Sequence, residues 1–331
     1  MKTQMKFVNL HHHTTFSFLM DGFGSPALHA QRAAELGYSS IAATEHGNVS
    51  SHFQHEKAAI KAGIKPIFGM EAYCGSVLEE DDEERLVMDD AGNVILRPVR
   101  GQYKHHLTIL AENAEGYRSL NRIVTRSYLD YYYHPTVSGD NLADNSEGII
   151  VLSGCSGSLL ACSLLGGKGT PEHIDSPDFE AAEQVIYSFK ELFGDRYFLE
   201  VQPFYELPRS SMMNKSYEYL SAKTGVPIVV THDVHYPKME DAEMQAILHA
   251  VGRGKASVDD AMREWNYAVP LTLPDSDEAL AWRLRKTGLS RETAWSAIDN
   301  SAYIGDMCNV TLPKAERLRY TMTDSDLEPW A

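Results

Sequence analysis

The chain has 331 residues, 43% of them hydrophobic, and a formal net charge of −16 at pH 7. That length accommodates one large domain or two ordinary ones, with enough apolar material for a real core. The acidic balance argues against a sequence-independent grip on long duplex DNA, which depends on Lys and Arg neutralising phosphates, so any nucleic-acid contact has to be local.

No apolar run reaches the roughly 18 residues needed to span a bilayer, and the N-terminus lacks the apolar centre of a signal peptide. The reading is a soluble cytoplasmic protein with no membrane partner. Cys74, Cys155, Cys162 and Cys308 are scattered without metal-finger spacing and are expected to remain free thiols.

The first element, Phe7-Val8-Asn9-Leu10, is a short apolar run that ends at once in His11-His12-His13. A strand repeats every two residues, so His11 and His13 share a face and His12 points away. Neutral imidazoles at that spacing suit zinc, manganese or iron. Ser25-Pro26 then starts a helix that runs through Leu36 and stops at Gly37. A strand from Ser40 to Thr44 delivers Glu45-His46-Gly47-Asn48, and a second helix ending at Ala62-Gly63 leads into the strand Pro66–Met70 and Glu71. This is the βαβ rhythm of a parallel sheet or barrel.

The run Glu79-Glu80-Asp81-Asp82-Glu83-Glu84 reads as a solvated surface loop, and residues 86–96 as a small hairpin attached to it, an insertion over about 76–102. His105-His106 opens the next strand, Leu107 to Ala111. His106 is the favoured ligand of the two because it directly precedes the apolar run. A helix over Gly116–Asp130 aligns Arg118, Arg122 and Arg126 on one face, either an ordinary exposed face or a track for a phosphate backbone. Further on, the strand Ile149–Leu152 ends near Cys155 and a helix spans Phe179–Phe193. A strand over Tyr197–Gln202 and a helix over Asn214–Thr224 follow, and the run Val226–Thr231 leads into Asp233 and His235, which share a strand face. Five apolar runs therefore end in His, Asp, Glu or Cys, and in α/β barrels the C-terminal strand ends converge on one rim.

The series Leu10-His11-His12-His13-Thr14-Thr15-Phe16-Ser17, Asp21-Gly22, Thr44-Glu45-His46-Gly47-Asn48 and Gly69-Met70-Glu71-Ala72-Tyr73 resembles the polymerase and histidinol phosphatase (PHP) domain. It is most similar to the version at the N-terminus of bacterial replicative DNA polymerase III α subunits. His106-Leu107-Thr108, Glu115-Gly116-Tyr117, Leu152-Ser153-Gly154-Cys155, Asp233-Val234-His235-Tyr236 and Ile304-Gly305-Asp306-Met307-Cys308-Asn309 continue the likeness in order.

The resemblance implies an α/β fold, a distorted (β/α)7 barrel over residues 1–312 followed by a tail, 313–331. It also implies a centre of three divalent ions, zinc, manganese or iron. By that likeness His11, His13, Glu71 and Asp233 hold one ion and are the core catalytic set. Glu71 bridges to a second ion held by His106 and Cys155, and Asp21, His46 and His235 form the third set. Two positions depart from the usual pattern. The stretch before Asp21 is one residue longer, which calls for a local bulge, and Glu45 stands where Asp is usual and is expected to support a ligand or do nothing.

The implied chemistry is phosphodiester hydrolysis, specifically 3′–5′ exonuclease action on DNA of a proofreading type, stand-alone or associated with a replicative polymerase, with a DNA 3′ end or single-stranded DNA as substrate. Arg97, Arg100, Lys104, Arg118 and Arg122 are the cations available to guide a strand, and a replicative polymerase or other replisome subunits are the implied partners. Two alternatives stay open: a phosphomonoesterase of the histidinol phosphatase type, and a non-catalytic module that uses metal for stability.

Overall fold

The computed structural model describes residues 5–75, 104–131, 134–167, 172–252, 254, 257, 259 and 269–314. The acidic run, the hairpin expected at 86–96, Arg97, Arg100 and nearly all of the expected tail lie outside them. Among the described residues six strands form one sheet in chain order: β1 Ser40–Ala43, β2 Lys65–Gly75, β3 Lys104–Ala111, β4 Ile149–Leu152, β5 Tyr197–Val201 and β6 Ile228–Val230. Around it run α1 Pro26–Leu36, α2 His52–Ala62, α3 Ala114–Leu129, α4 Gly139–Asp144, α5 Leu159–Leu165, α6 Phe179–Phe193, α7 Pro208–Thr224, α8 Ala242–Gly252, α9 Asp277–Lys286 and α10 Arg291–Met307.

The sheet curls until its two edges meet the N-terminal segment. Asn9 bridges Ile41 of β1, and His12 bridges Val234, just past β6. Ala42 N donates to Asn9 O at 3.1 Å, Thr44 N to His12 O at 3.0 Å and His13 N to Val234 O at 2.8 Å. This segment is the seventh stave of a distorted barrel, as the sequence leads one to expect. It forms isolated bridges rather than a regular strand. Leu10 joins the barrel interior and His11 the cluster above it, so two consecutive side chains face inward and the alternation slips by one residue.

Alternation elsewhere separates two cores. Val8, Leu10, Ala42, Ile67, Leu110, Ile150, Leu152, Phe198 and Val229 fill the barrel interior, with Ile304 and Cys308 at the end of α10 joining them. Their neighbours Ile41, Ile109, Val151, Leu199 and Val230 face outward and pack under the helices. Gly305 of α10 lies against Val8, where a Cβ would come within 3.1 Å of both valine methyls.

Two strands differ from a wholly parallel reading. β3 is antiparallel to both β2 and β4. β2 does not end at Met70 but runs on to Gly75, because Glu71 to Gly75 pair with residues 104–108 of β3. Helix α3 starts at Ala114, two residues before the expected start, because Asn113 accepts hydrogen bonds from the backbone of Glu115 and Gly116. Helix α7 starts at Pro208, six residues early, with the proline in its first turn.

Candidate metal centre

The antiparallel course of β3 explains how a ligand type at a strand start reaches the same rim as those at strand ends. Running against its neighbours, β3 places His106 beside Tyr73, two pairs beyond the Glu71–Thr108 register. His105 pairs with Cys74 and the Glu71 carboxylate meets only His106 of the two, at 2.8 Å from Nδ1.

Glu71 sits at the middle of the cluster. Oε1 lies 2.8 Å from His106 Nδ1 and 3.3 Å from His11 Nε2; Oε2 lies 2.6 Å from His46 Nδ1 and 3.3 Å from His13 Nε2. Cys155 Sγ is 3.3 Å from His106 Nδ1 and 3.7 Å from Glu71 Oε1. Asp233 Oδ1 is 3.6 Å from His11 Nε2, 3.4 Å from His13 Nε2 and 3.3 Å from His235 Nδ1. Asp21 completes the set, with Oδ2 3.5 Å from His46 Nε2 and Oδ1 3.6 Å from His235 Nε2. All nine residues singled out from the sequence converge on one rim.

Local backbone devices make the approach possible. The longer stretch before Asp21 is absorbed by a 3-10 turn, Phe18–Met20, with Met20 at φ 59°, which turns the Asp21 carboxylate inward. Gly154 has φ 86°, and a Cβ there would lie 2.2 Å from His106 O; only glycine lets the loop carrying Cys155 pass that close to β3.

Behind the rim a ring of polar residues fixes the imidazoles. His11 Nδ1 donates to Glu200 Oε1 at 2.7 Å, and Glu200 also accepts from Thr108 Oγ1 at 2.9 Å and Thr231 Oγ1 at 2.6 Å. Ser17 Oγ gives its one proton to Glu45 Oε2 at 2.7 Å, so the 2.9 Å contact from His13 Nδ1 is a donation by the ring. In their neutral form both histidines therefore carry the proton on Nδ1 and turn an Nε2 lone pair toward the cluster. Glu45 is thus a supporting residue that also accepts from Thr14 N at 2.9 Å. His12 turns away, as expected, and its Nε2 meets His29 Nδ1 of α1 at 2.6 Å.

The electrostatics are those of a carboxylate and imidazole lattice. Burial opposes charge on Glu71, but His106, His46 and His11 outweigh it and hold the carboxyl well below its ordinary value. Burial likewise works against protonation of His11, while Glu71, Asp233 and Glu200 raise its pKa well above the usual one. Asp21 is buried too, yet His46, His235 and His249 keep it far into the ionised range.

Donor atoms of His11, His13 and Asp233, of His46, Glu71 and His106, and of His13, His46 and His235 each lie close enough together to hold a metal ion. Among the described residues His11 Nε2, His13 Nε2, His46 Nδ1, Glu71 Oε2 and Asp233 Oδ1 are buried and make no well-directed hydrogen bond, although His46 Nδ1 and Glu71 Oε2 lie 2.6 Å apart. Buried polar atoms are normally satisfied, so five such donors around one point fit a site built for cations.

The proposed guiding cations fare differently. Lys104 lies at the rim, its Nζ 5.9 Å from the Tyr73 ring centre. Arg118 and Arg122 both bind Glu115, at 2.7 and 3.0 Å, near the start of α3, which begins at the barrel end away from His106. Arg126 pairs with Asp144. The structure does not bring these arginines to the centre. The sequence reading missed Glu200, Gln245 and His249; a carboxylate inside the apolar run Tyr197–Val201 was the available signal for the first.

A mixed barrel with histidine and carboxylate clusters at one rim places the chain among α/β proteins with a candidate metal centre. A profile of the PHP domain matches residues 9–203, and the chain belongs to that family. DNA polymerase III subunit alpha of Thermus aquaticus is 30% identical over 323 residues, covering 97% of this chain and 24% of that protein. The same subunit of Borreliella burgdorferi is 33% identical over 261 residues, 78% of this chain and 21% of the relative. The chain thus spans about a quarter or less of the length of these relatives. A two-domain Bacteroides vulgatus protein containing a predicted PHP-like metal-dependent phosphoesterase superposes with a TM-score of 0.38 at 14% identity, covering 71% of this chain and 55% of that one. Among the described residues no helix is long and apolar enough to cross a membrane.

Proposed function

We propose that the chain is a metal-dependent phosphodiester hydrolase that removes nucleotides from the 3′ end of single-stranded DNA, working in the cytoplasm beside a replicative polymerase. The observation that carries this reading is the Glu71 carboxylate held among the imidazoles of His11, His13, His46 and His106, with Asp233, Cys155 and unpartnered donor atoms beside it. The kinship with DNA polymerase III α subunits supplies the DNA context.

In this proposal His11, His13, Glu71 and Asp233 hold one of three divalent ions, Glu71, His106 and Cys155 a second, and Asp21, His46 and His235 the third. Zinc, manganese and iron all suit this donor mixture. When bound, such ions supply hydroxide near neutral pH and offset the charge that builds on phosphoryl oxygens. The chain's own contribution is order. Glu200 and the Ser17–Glu45 pair lock the rings of His11 and His13, the buried rim excludes bulk water, and Lys104 is the cation assigned to an incoming phosphate. Residues 1–312 are taken as the PHP unit.

Purified chain given Mn²⁺ or Zn²⁺ should convert a 5′-labelled single-stranded oligonucleotide into a descending ladder and leave histidinol phosphate intact. Preference for the monoester would transfer the assignment to a phosphomonoesterase. Bound metal with neither substrate consumed, across metals and pH, would leave a structural module.

A further inference from the structure

Asp21 is surrounded by more imidazole than its assigned partners provide. Besides His46 Nε2 at 3.5 Å and His235 Nε2 at 3.6 Å, its carboxylate has His249 Nε2 at 3.9 Å from Oδ2. His249 is fully buried, and it comes from α8, which packs against the Phe18–Met20 turn leading into Asp21. One turn earlier on the same helix Gln245 Nε2 donates to Asp21 Oδ1 at 3.0 Å. Gln245 and His249, four residues apart, therefore present one helical face to this carboxylate.

The two contacts have different chemistry. The Gln245 amide is at hydrogen-bond distance and orients Asp21. The His249 nitrogen, 3.9 Å from Oδ2, is beyond hydrogen-bond reach, whereas His46 hydrogen-bonds the same carboxylate. Donors bound to a tetrahedral ion at about 2.0–2.1 Å lie roughly 3.3 Å from one another, so each of the three imidazoles stands within a few tenths of an ångström of that spacing from the Asp21 carboxylate.

We propose that His249 is a further donor to the ion assigned to Asp21, His46 and His235, supplied by α8. This rests on the metal-centre reading above. It turns a three-residue set into a four-residue one and ties the position of α8 to the loading of that ion.

The experiment measures metal content and Co²⁺ spectra of the full-length chain, its His249→Ala variant and its His249→Cys variant. At limiting free metal, His249→Ala should bind one ion fewer than the parent, with that ion's affinity lower by on the order of a hundredfold. In the Co²⁺-loaded His249→Cys variant a new thiolate-to-cobalt absorption should add to that of Cys155; this gain does not depend on the alanine variant folding. Unchanged ion count and affinity in His249→Ala, or a His249→Cys spectrum identical to the parent's, overturns the assignment of His249 alone. A parent chain that takes up no ion overturns the centre and this donor together.

Discussion

Glu200 shows what a buried carboxylate does when it is not itself a ligand candidate. It takes three hydrogen bonds, from His11 Nδ1, Thr108 Oγ1 and Thr231 Oγ1, and thereby fixes which His11 nitrogen faces the rim. Replacing Glu200 with Gln should lower metal affinity about 10- to 100-fold with little change in helix content, measurable by competition with a chromophoric chelator. His52 and His55 illustrate the opposite use of burial. Burial pushes each down to about 4, and each donates Nε2–H to a carbonyl, of Gly69 and Ile41 respectively. The unfolded chain, with imidazoles near 6.5, binds more protons in this range. The stabilisation is therefore whole above pH 6.5 and is lost as pH falls toward 4, about 3 kcal/mol for each ring. Urea titrations between pH 7 and 4 should show this loss, and His55→Gln should flatten it. At this scale the nine side chains that converge on the rim were legible because they sit in ordered motifs. The supporting residues were not, since Ser17, Gln245 and His249 look in sequence like any polar residue on a turn or helix.

The elements show where periodicity misleads. The apolar run located β3, but nothing in a run such as Lys104–Ala111 states its direction, and the antiparallel setting is what carries His106 to the rim. Glu71 looked like a strand-end residue because apolarity stops at Met70; pairing with β3 prolongs the strand through a polar site. The extra residue before Asp21 was visible as a departure in spacing, and its resolution, a 3-10 turn with Met20 at φ 59°, is a matter of backbone geometry that no spacing encodes. Gly154 gives the sharpest test at this level. Gly154→Ala adds a Cβ that would lie 2.2 Å from His106 O in a left-handed conformation. It should cost at least about 2 kcal/mol of stability and displace Cys155, so thermal melting should fall and thiolate absorption in the Co²⁺-loaded chain should weaken.

At the scale of the whole molecule the barrel separates an apolar lower interior, capped by Ile304 and Cys308, from a polar rim of buried charges. Bound cations would offset the concentration of carboxylates at that rim and bind only the folded chain. Adding ion at a hundredfold over its dissociation constant should raise stability by about 3 kcal/mol, and chelation should remove it, as read by calorimetry. The seven-stave closure was implied by the likeness to the PHP domain, but the partners of the apolar run ahead of His11 were not legible, because they are far apart in the chain. The residues that seal the barrel, Asn9 and His12, are joined to Ile41 on one side and to Val234 on the other, and His11 and His13 lie between and beyond them. More than two hundred residues must be synthesised before His12 meets Val234, so a complete cation nest cannot exist on a nascent chain cut short of that point.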